Sequence, residues 1–199
     1  MKRIFLFSLL VISVAFFGFG CVKRSTNQPS DAPSVEIDRR SIIEDAKKQG
    51  LIMNSDEVEK MKDPNILFQD VHAQKTIDLK SLLALDVKSW RAGALADVTG
   101  GTSFGLVHTQ MQTGRFTLIA TLGGLPKTAN GAFYQSWLVK RGSAMQLIPT
   151  GIVEAAADHF VNAYVTTTNL SDYNFYVVTL QSKSDELIPG EPILEGEIR

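Results

Sequence analysis

Between Arg115 and Val139 the chain reads RFTLIATLGGLPKTANGAFYQSWLV, and no other stretch limits the fold so tightly. In Arg115 to Leu122, Phe116, Leu118, Ala120 and Leu122 share one face, while Arg115, Thr117, Ile119 and Thr121 share the other, mostly polar one. Apolar residues recurring every second position argue for a half-buried strand. Gly123-Gly124-Leu125-Pro126 and Asn130-Gly131 interrupt it as turn signals. Phe133 to Val139 resumes the pattern, with Trp137 and Val139 on one side and Tyr134 and Leu138 on the other. Apolar residues on both sides predict a central strand. The two strands together are expected as a hairpin whose core residues are Phe116, Leu118, Tyr134 and Trp137.

The same short rhythm fills the chain from Leu95 onward. Phe104 to Met111, Met145 to Ile152, Phe160 to Thr166, Phe175 to Leu180 and Ile193 to Ile198 alternate in the same way, separated by Gly, Asn and Asp turns. Glu154 to His159 holds helix formers but is too short for a stable helix. Roughly seven strands with no helix pattern between them predict a mainly β domain over 95–199, an antiparallel Ig-like β-sandwich.

The N-terminus reads as an address rather than as fold. Met1-Lys2-Arg3 is a basic start, Ile4 to Phe19 is an apolar run of 16 residues, and Gly18-Phe19-Gly20 brings small residues up to Cys21. That is a secretory signal over 1–20, and its run is short of the roughly 20 residues that cross hydrocarbon comfortably. Cys21 is the single cysteine, so no intramolecular disulfide can form. Residues 21–35 are rich in Ser, Asn, Gln, Pro and Asp and read as a disordered tether. Residues 36–94 read as short helices and a connector. Ser41 is placed to cap one helix that stops at Gly50, and Asn54 with Glu57 forms a variant capping box for a second that ends before Pro64. Helices this short are marginal alone and must pack on the following domain, another copy or a partner. A formal net charge of −1 gives no electrostatic case for nucleic acid.

Two resemblances follow from these residues. Cys21 directly after small residues resembles the lipobox of bacterial lipoproteins, with Gly18 where an aliphatic residue is usual; the resemblance implies lipidation at Cys21. The run GxxxLxAxLxGLP from Gly114 to Pro126 is followed in order by Phe133-Tyr134-Gln135-Ser136-Trp137-Leu138-Val139, Pro149-Thr150-Gly151, Tyr176-Val177-Val178-Thr179-Leu180 and Glu191-Pro192-Ile193-Leu194-Glu195-Gly196. This resembles the C-terminal extracytoplasmic domain of anti-sigma-K factors and covers about Leu95 to Arg199. The family implies regulatory sensing or protein contact by this domain. Only Met1-Lys2-Arg3 precede the signal segment, so the sigma-binding cytoplasmic domain is expected to be missing and direct sigma-factor binding is not carried over.

Residues able to do chemistry are sparse. His72, His108 and His159 show no metal-ligand spacing; a copper or zinc site would need His108 and His159 to converge with Met111, Met145 or a carboxylate. Gly101-Thr102-Ser103-Phe104-Gly105 has the letters of a nucleophile elbow, but a turn precedes it and a strand follows, whereas the elbow joins a strand to a helix. Ser103, His108 and Asp97 make a triad only on paper. No catalytic residue, metal or cofactor is therefore expected. Tyr164, Tyr173, Phe175 and Tyr176 cluster on or beside two successive strands and are the candidate contact surface, since aromatics favour interfaces. The expectation is a non-catalytic, lipid-anchored envelope protein, bound to the membrane through its N-terminal lipid, that displays a β-sandwich to a protein partner for binding or sensing. A metal-binding or redox envelope protein is the alternative, and an envelope hydrolase the third.

Overall fold

A computed structural model describes residues 38–63, 65–68, 78–129, 131–182 and 188–199, with backbone alone for Leu67 and Phe68. The signal segment, Cys21, the tether at 21–35 and His72 lie outside the described residues. Those that are described belong to one unit, Ile37–Arg199.

Three short helices come first. Helix α1 (Arg39–Lys48) starts at Asp38, whose carboxylate accepts from the Arg40 and Ser41 amides, so Ser41 lies inside the helix rather than capping it. Lys47 and Lys48 sit in its last turn, and Gly50 leaves it at φ 70°. Helix α2 (Ser55–Met61) has the capping box expected from sequence: Asn54 Oδ1 accepts from the Glu57 amide and the Glu57 carboxylate accepts from the Asn54 amide, both at 3.0 Å. Helix α3 (Leu79–Leu83) is capped by Asp78.

The strands are β1 (Leu67–Phe68), β2 (Arg91–Asp97), β3 (Phe104–Gln112), β4 (Arg115–Gly123), β5 (Phe133–Lys140), β6 (Gln146–Ile152), β7 (Glu154–Ala156), β8 (His159–Thr166), β9 (Phe175–Gln181) and β10 (Pro192–Glu197). The seven strands expected from alternation each form, within a residue or two of the expected ends. The protein is mainly β, but two separate sheets of about seven strands are not confirmed. Among the described residues ten strands join in one hydrogen-bonded order, β1-β6-β5-β9-β10-β2-β3-β4-β8-β7. All pairs are antiparallel except β1 with β6. The sheet curls until β6 and β8 face one another, so it is nearly closed. Side chains bridge that seam: the Asn162 amide donates to the Thr150 carbonyl at 3.1 Å, and Asn162 Oδ1 accepts from Thr150 Oγ1 and the Tyr176 hydroxyl at 3.1 and 2.9 Å.

The expected hairpin from Arg115 to Val139 does not form. β4 pairs with β3 and β8, and β5 pairs with β6 and β9, with four strands between them in the sheet. The connecting segment crosses the end of the curled sheet. Leu125 is buried there, and the Tyr134 hydroxyl donates to the Pro126 carbonyl at 2.9 Å. Gly and Pro mark a break in either case; they do not say which strand lies next door.

Inside the curl lies one core, which includes Phe116, Leu118, Tyr134, Leu138, Tyr164, Tyr173, Tyr176 and Leu194. Alternation sends the next residues outward, and much of the outer face is covered too. Helix α2 and the chain before it lay Met53 and Met61 on Trp137, Val139, Leu147, Phe175 and Val177. Helix α3 lays Leu82 on Ile119 and Val165. Trp137 is thus fully buried, in a second core outside the curl. Ile119, expected on a mostly polar face, is buried beneath Leu82. At 25 cal/mol per Å2, burying each such side chain contributes about 1.5–3 kcal/mol, which is how these short helices are held.

Candidate functional site

One row of residues crosses the outer face and shows where its cover ends. Register places Trp137 beside Val177, Val177 beside Glu195, Glu195 beside Ala96, and Ala96 beside Phe104. Trp137 and Val177 lie under the helices. Glu195 lies at the margin, only 2 % exposed, its Oε2 accepting from the Met53 amide at 2.7 Å. Ala96 and Phe104 are uncovered.

The cover is clasped at its other side by Arg141. Its Nε and Nη2 bind both carboxylate oxygens of Glu57 at 2.8 and 2.6 Å, Nη1 donates to the Gly50 carbonyl at 2.7 Å, and the guanidinium lies 4.7 Å from the centre of the Phe175 ring. A two-pronged, partly buried pair of this kind fixes geometry as well as energy. Burial alone would raise the Glu57 carboxyl; hydrogen bonds from Arg141 and Asn54 and the Arg141 charge overcome it and hold it below its ordinary value. Glu195 goes the other way. Burial pushes it up to about 7 against the Met53 amide and the charges of Arg141 and Lys47, and the negative Glu57 adds to the rise.

Beyond Glu195, across β2 and the first half of β3, the outer face is bare. Ala92, Ala94 and Ala96 of β2 are exposed, and beside them Phe104 and Leu106 of β3 are 64 % and 52 % exposed. No charged side chain points outward from this part of either strand; His108 is its polar member, and burial lowers its imidazole pKa. Phe104 stands outward because Gly123 across the β3–β4 ladder gives it room: a Cβ there would meet the ring at 2.5 Å. Helix α1 borders the strip, with Ile42 56 % exposed, and encloses a groove of about 360 Å3 with Leu95, Ala96 and the β2–β3 turn. The Arg39 guanidinium donates to the Gly101 carbonyl, which ties the start of α1 to that turn. Asp97 organises the turn: its carboxylate accepts from the amides of Thr99, Gly101 and Ser103 and from the Thr99 hydroxyl. Burial would raise the Asp97 carboxyl, and these bonds more than compensate, lowering it.

The paper triad is not assembled. Asp97 is occupied by the turn, and Ser103 Oγ donates to the Gly124 carbonyl. Ser103 is buried, whereas His108 shares the outward side with Phe104 and Leu106. The candidate metal ligands are scattered: Met111 packs on the inner core, Met145 lies in the core beneath α2, His108 is on the bare strip, and His159 is on the β7–β8 turn beside Asp158. Among the described residues no group of three or more His, Cys, Asp or Glu side chains lies together.

Phe116, Leu118, Tyr134 and Trp137 are all buried. Tyr164, Tyr173, Phe175 and Tyr176, expected as a contact surface, are corrected to the interior: none is more than 4 % exposed. Tyr164, Tyr173 and Tyr176 fill the inner core, where burial pushes the Tyr176 phenol well up. Phe175 lies under Met53 and Met61. Adjacent β9 residues point to opposite faces, but both faces are covered, which alternation alone does not reveal. Two exposed apolar positions were missed: Phe104 and Leu106, whose exposure depends on where the helices stop. The available signal was two large apolar residues two apart in a strand whose partner offers only alanines on that side.

Comparison with protein-family models, with curated proteins and with solved structures finds no match. Among the described residues no helix is long and apolar enough to cross a membrane. The arrangement is suited to apolar contact at the strip, beside a rigidly clasped cover.

Proposed function

We propose that the chain is a lipid-anchored protein of the bacterial cell envelope that displays its β domain for binding or sensing and catalyses no reaction of its own. Support for the anchor comes from the signal segment and Cys21. Support for a sensing role comes from the resemblance to the outer domain of anti-sigma-K factors, with the curled sheet taken as a joined form of an Ig-like sandwich. The observation that carries the binding half is the groove of about 360 Å3 that α1 leaves open with Ile52, Leu95, Ala96 and the β2–β3 turn, beside the bare strip. Exposed apolar side chains set side by side and rimmed by polar residues mark interaction sites.

Growth with a clickable fatty-acid analogue tests the anchor. The wild-type chain is expected to carry the label and sediment with membranes; the Cys21→Ser chain is expected to carry none and to appear in the soluble extracytoplasmic fraction. Membrane retention without label in the wild-type chain overturns the lipoprotein reading.

A further inference from the structure

We propose that the bare strip around Phe104 and Leu106 rests on the lipid bilayer to which the chain is anchored, so that the domain lies against the membrane in one orientation. This rests on the lipid-anchor reading.

Three observations converge. First, the anchor side of the chain joins the domain at this place. Asp38 caps α1, Arg39 ties that helix to the β2–β3 turn, and Phe104 follows the turn directly. Between Cys21 and Asp38 lie the 16 residues from Val22 to Ile37, so on the lipid-anchor reading the anchor is joined to the domain through Asp38. The anchor side therefore enters the domain at the edge beside the strip.

Second, the chemistry of the strip suits lipid better than protein. Exposed alanines, Phe104, Leu106 and the neighbouring Ile42 bring few hydrogen-bonding groups. A specific protein interface pairs such groups at about one per 100–200 Å2, whereas the acyl boundary asks for none. Aromatic and aliphatic side chains beside basic ones are the usual makeup of a surface that dips into the headgroup layer. Here Arg39 and Arg40 supply a basic rim, Glu197 beside Ala94 is paired with Arg199, and the Asp97 carboxylate is turned inward on its own loop.

Third, the strip is small. Alone it would bind vesicles weakly, but the anchor keeps the bilayer permanently within reach and raises its effective concentration. Docking here turns the seam between β6 and β8, on the far side of the curl, away from the membrane.

The acylated chain offers a clean probe. Cys21 is the single cysteine and is blocked once lipidated, so an introduced cysteine is the one free thiol. Leu106→Cys and, as a control on the far side, Ile152→Cys (55 % exposed) are purified with their acyl chains. Each is inserted into vesicles of phosphatidylethanolamine and phosphatidylglycerol, then treated with a membrane-impermeant maleimide. At Leu106→Cys, labelling is expected to be slower than in detergent by about an order of magnitude or more, since a thiol in the acyl boundary is withheld from water. At Ile152→Cys the rate is expected to be unchanged. Equal rates at Leu106→Cys in vesicles and detergent, in a chain shown by mass to be acylated, overturn the docking and leave the anchor standing. Absence of acylation sinks the anchor reading and this proposal with it. Protection that persists in a Cys21→Ser, Leu106→Cys chain without vesicles shows a second copy or another protein on the strip, and overturns the membrane as its occupant.

Discussion

Glu195 sits where two demands conflict. It is the margin of the helix cover and must be buried, yet it is a carboxyl with one backbone donor at 2.7 Å. Its pKa rises from 4.5 to about 7 on folding. A carboxyl whose folded value is raised is protonated in the native chain while the unfolded chain has already lost its proton, so its effect on stability declines as pH rises from 4.5 to 7 and then levels off. That span is worth roughly 3 kcal/mol. Glu57 and Asp97 have lowered values and act in the opposite sense, contributing stability that is lost as pH falls below their unfolded values of 4.5 and 3.8. Urea unfolding is therefore expected to show a stability maximum near pH 5. Glu195→Gln, which keeps an acceptor for Met53, is expected to raise stability at pH 8 and flatten the decline between pH 5 and 8; an unchanged decline refutes the assignment. Gly93 gives a second residue-scale test. A Cβ there would meet the Glu197 carbonyl oxygen at 2.5 Å, so Gly93→Ala is expected to cost about 1–3 kcal/mol by overpacking, read as a lowered urea midpoint.

Among the elements, the helices decide more than their length implies. Trp137 lies fully buried against Met53 and Met61, its indole N–H donating to Thr179 Oγ1 at 2.9 Å. Trp137→Ala is expected to cost about 3–5 kcal/mol, and Met61→Ala about 2–5 kcal/mol, both by chemical denaturation. At the seam, Asn162→Ala removes the acceptor shared by the Tyr176 hydroxyl and Thr150 Oγ1 and the donor to the Thr150 carbonyl. The expected cost is about 1–3 kcal/mol, with faster amide exchange in β6 and β8 ahead of the rest of the sheet. Much of this layer was legible in advance. Alternation located seven strands, and Asn54 with Glu57 announced α2, because both signals are local. Pairing partners were not legible: the breakers at Gly123–Pro126 fit a hairpin and a crossover equally. Nor was the double cover on β9, which put Phe175 beneath a helix rather than at a surface. Asp38 was overlooked as the α1 cap because Ser41, three residues later, has the same capping chemistry. The strip of Phe104 and Leu106 escaped notice because its exposure is set by the reach of helices more than forty residues upstream.

For the whole molecule, the boundary drawn at residue 94 from the onset of the strand rhythm falls inside β2 and removes the helices that cover Trp137. A chain beginning at residue 95 is expected to aggregate on expression, while one beginning at residue 38 is expected to stay soluble with a cooperative thermal transition; equal solubility of the two would show that the outer core is dispensable. The place of β10 carries a kinetic consequence. It comes last in sequence among the described strands, yet it stands between β9 and β2 in the middle of the sheet. Without it the order falls into two fragments, β1-β6-β5-β9 and β2-β3-β4-β8-β7, and the carboxylate that receives Met53 from 142 residues away is missing. Pairings so distant in sequence are slow to form. A chain still emerging, whether from a ribosome or a translocation pore, can hold two incomplete half-sheets with open edges. The two are joined only once β10 has been added, so that strand acts as the closing step of folding and the interval before its arrival is when the sheet is most exposed to misassembly.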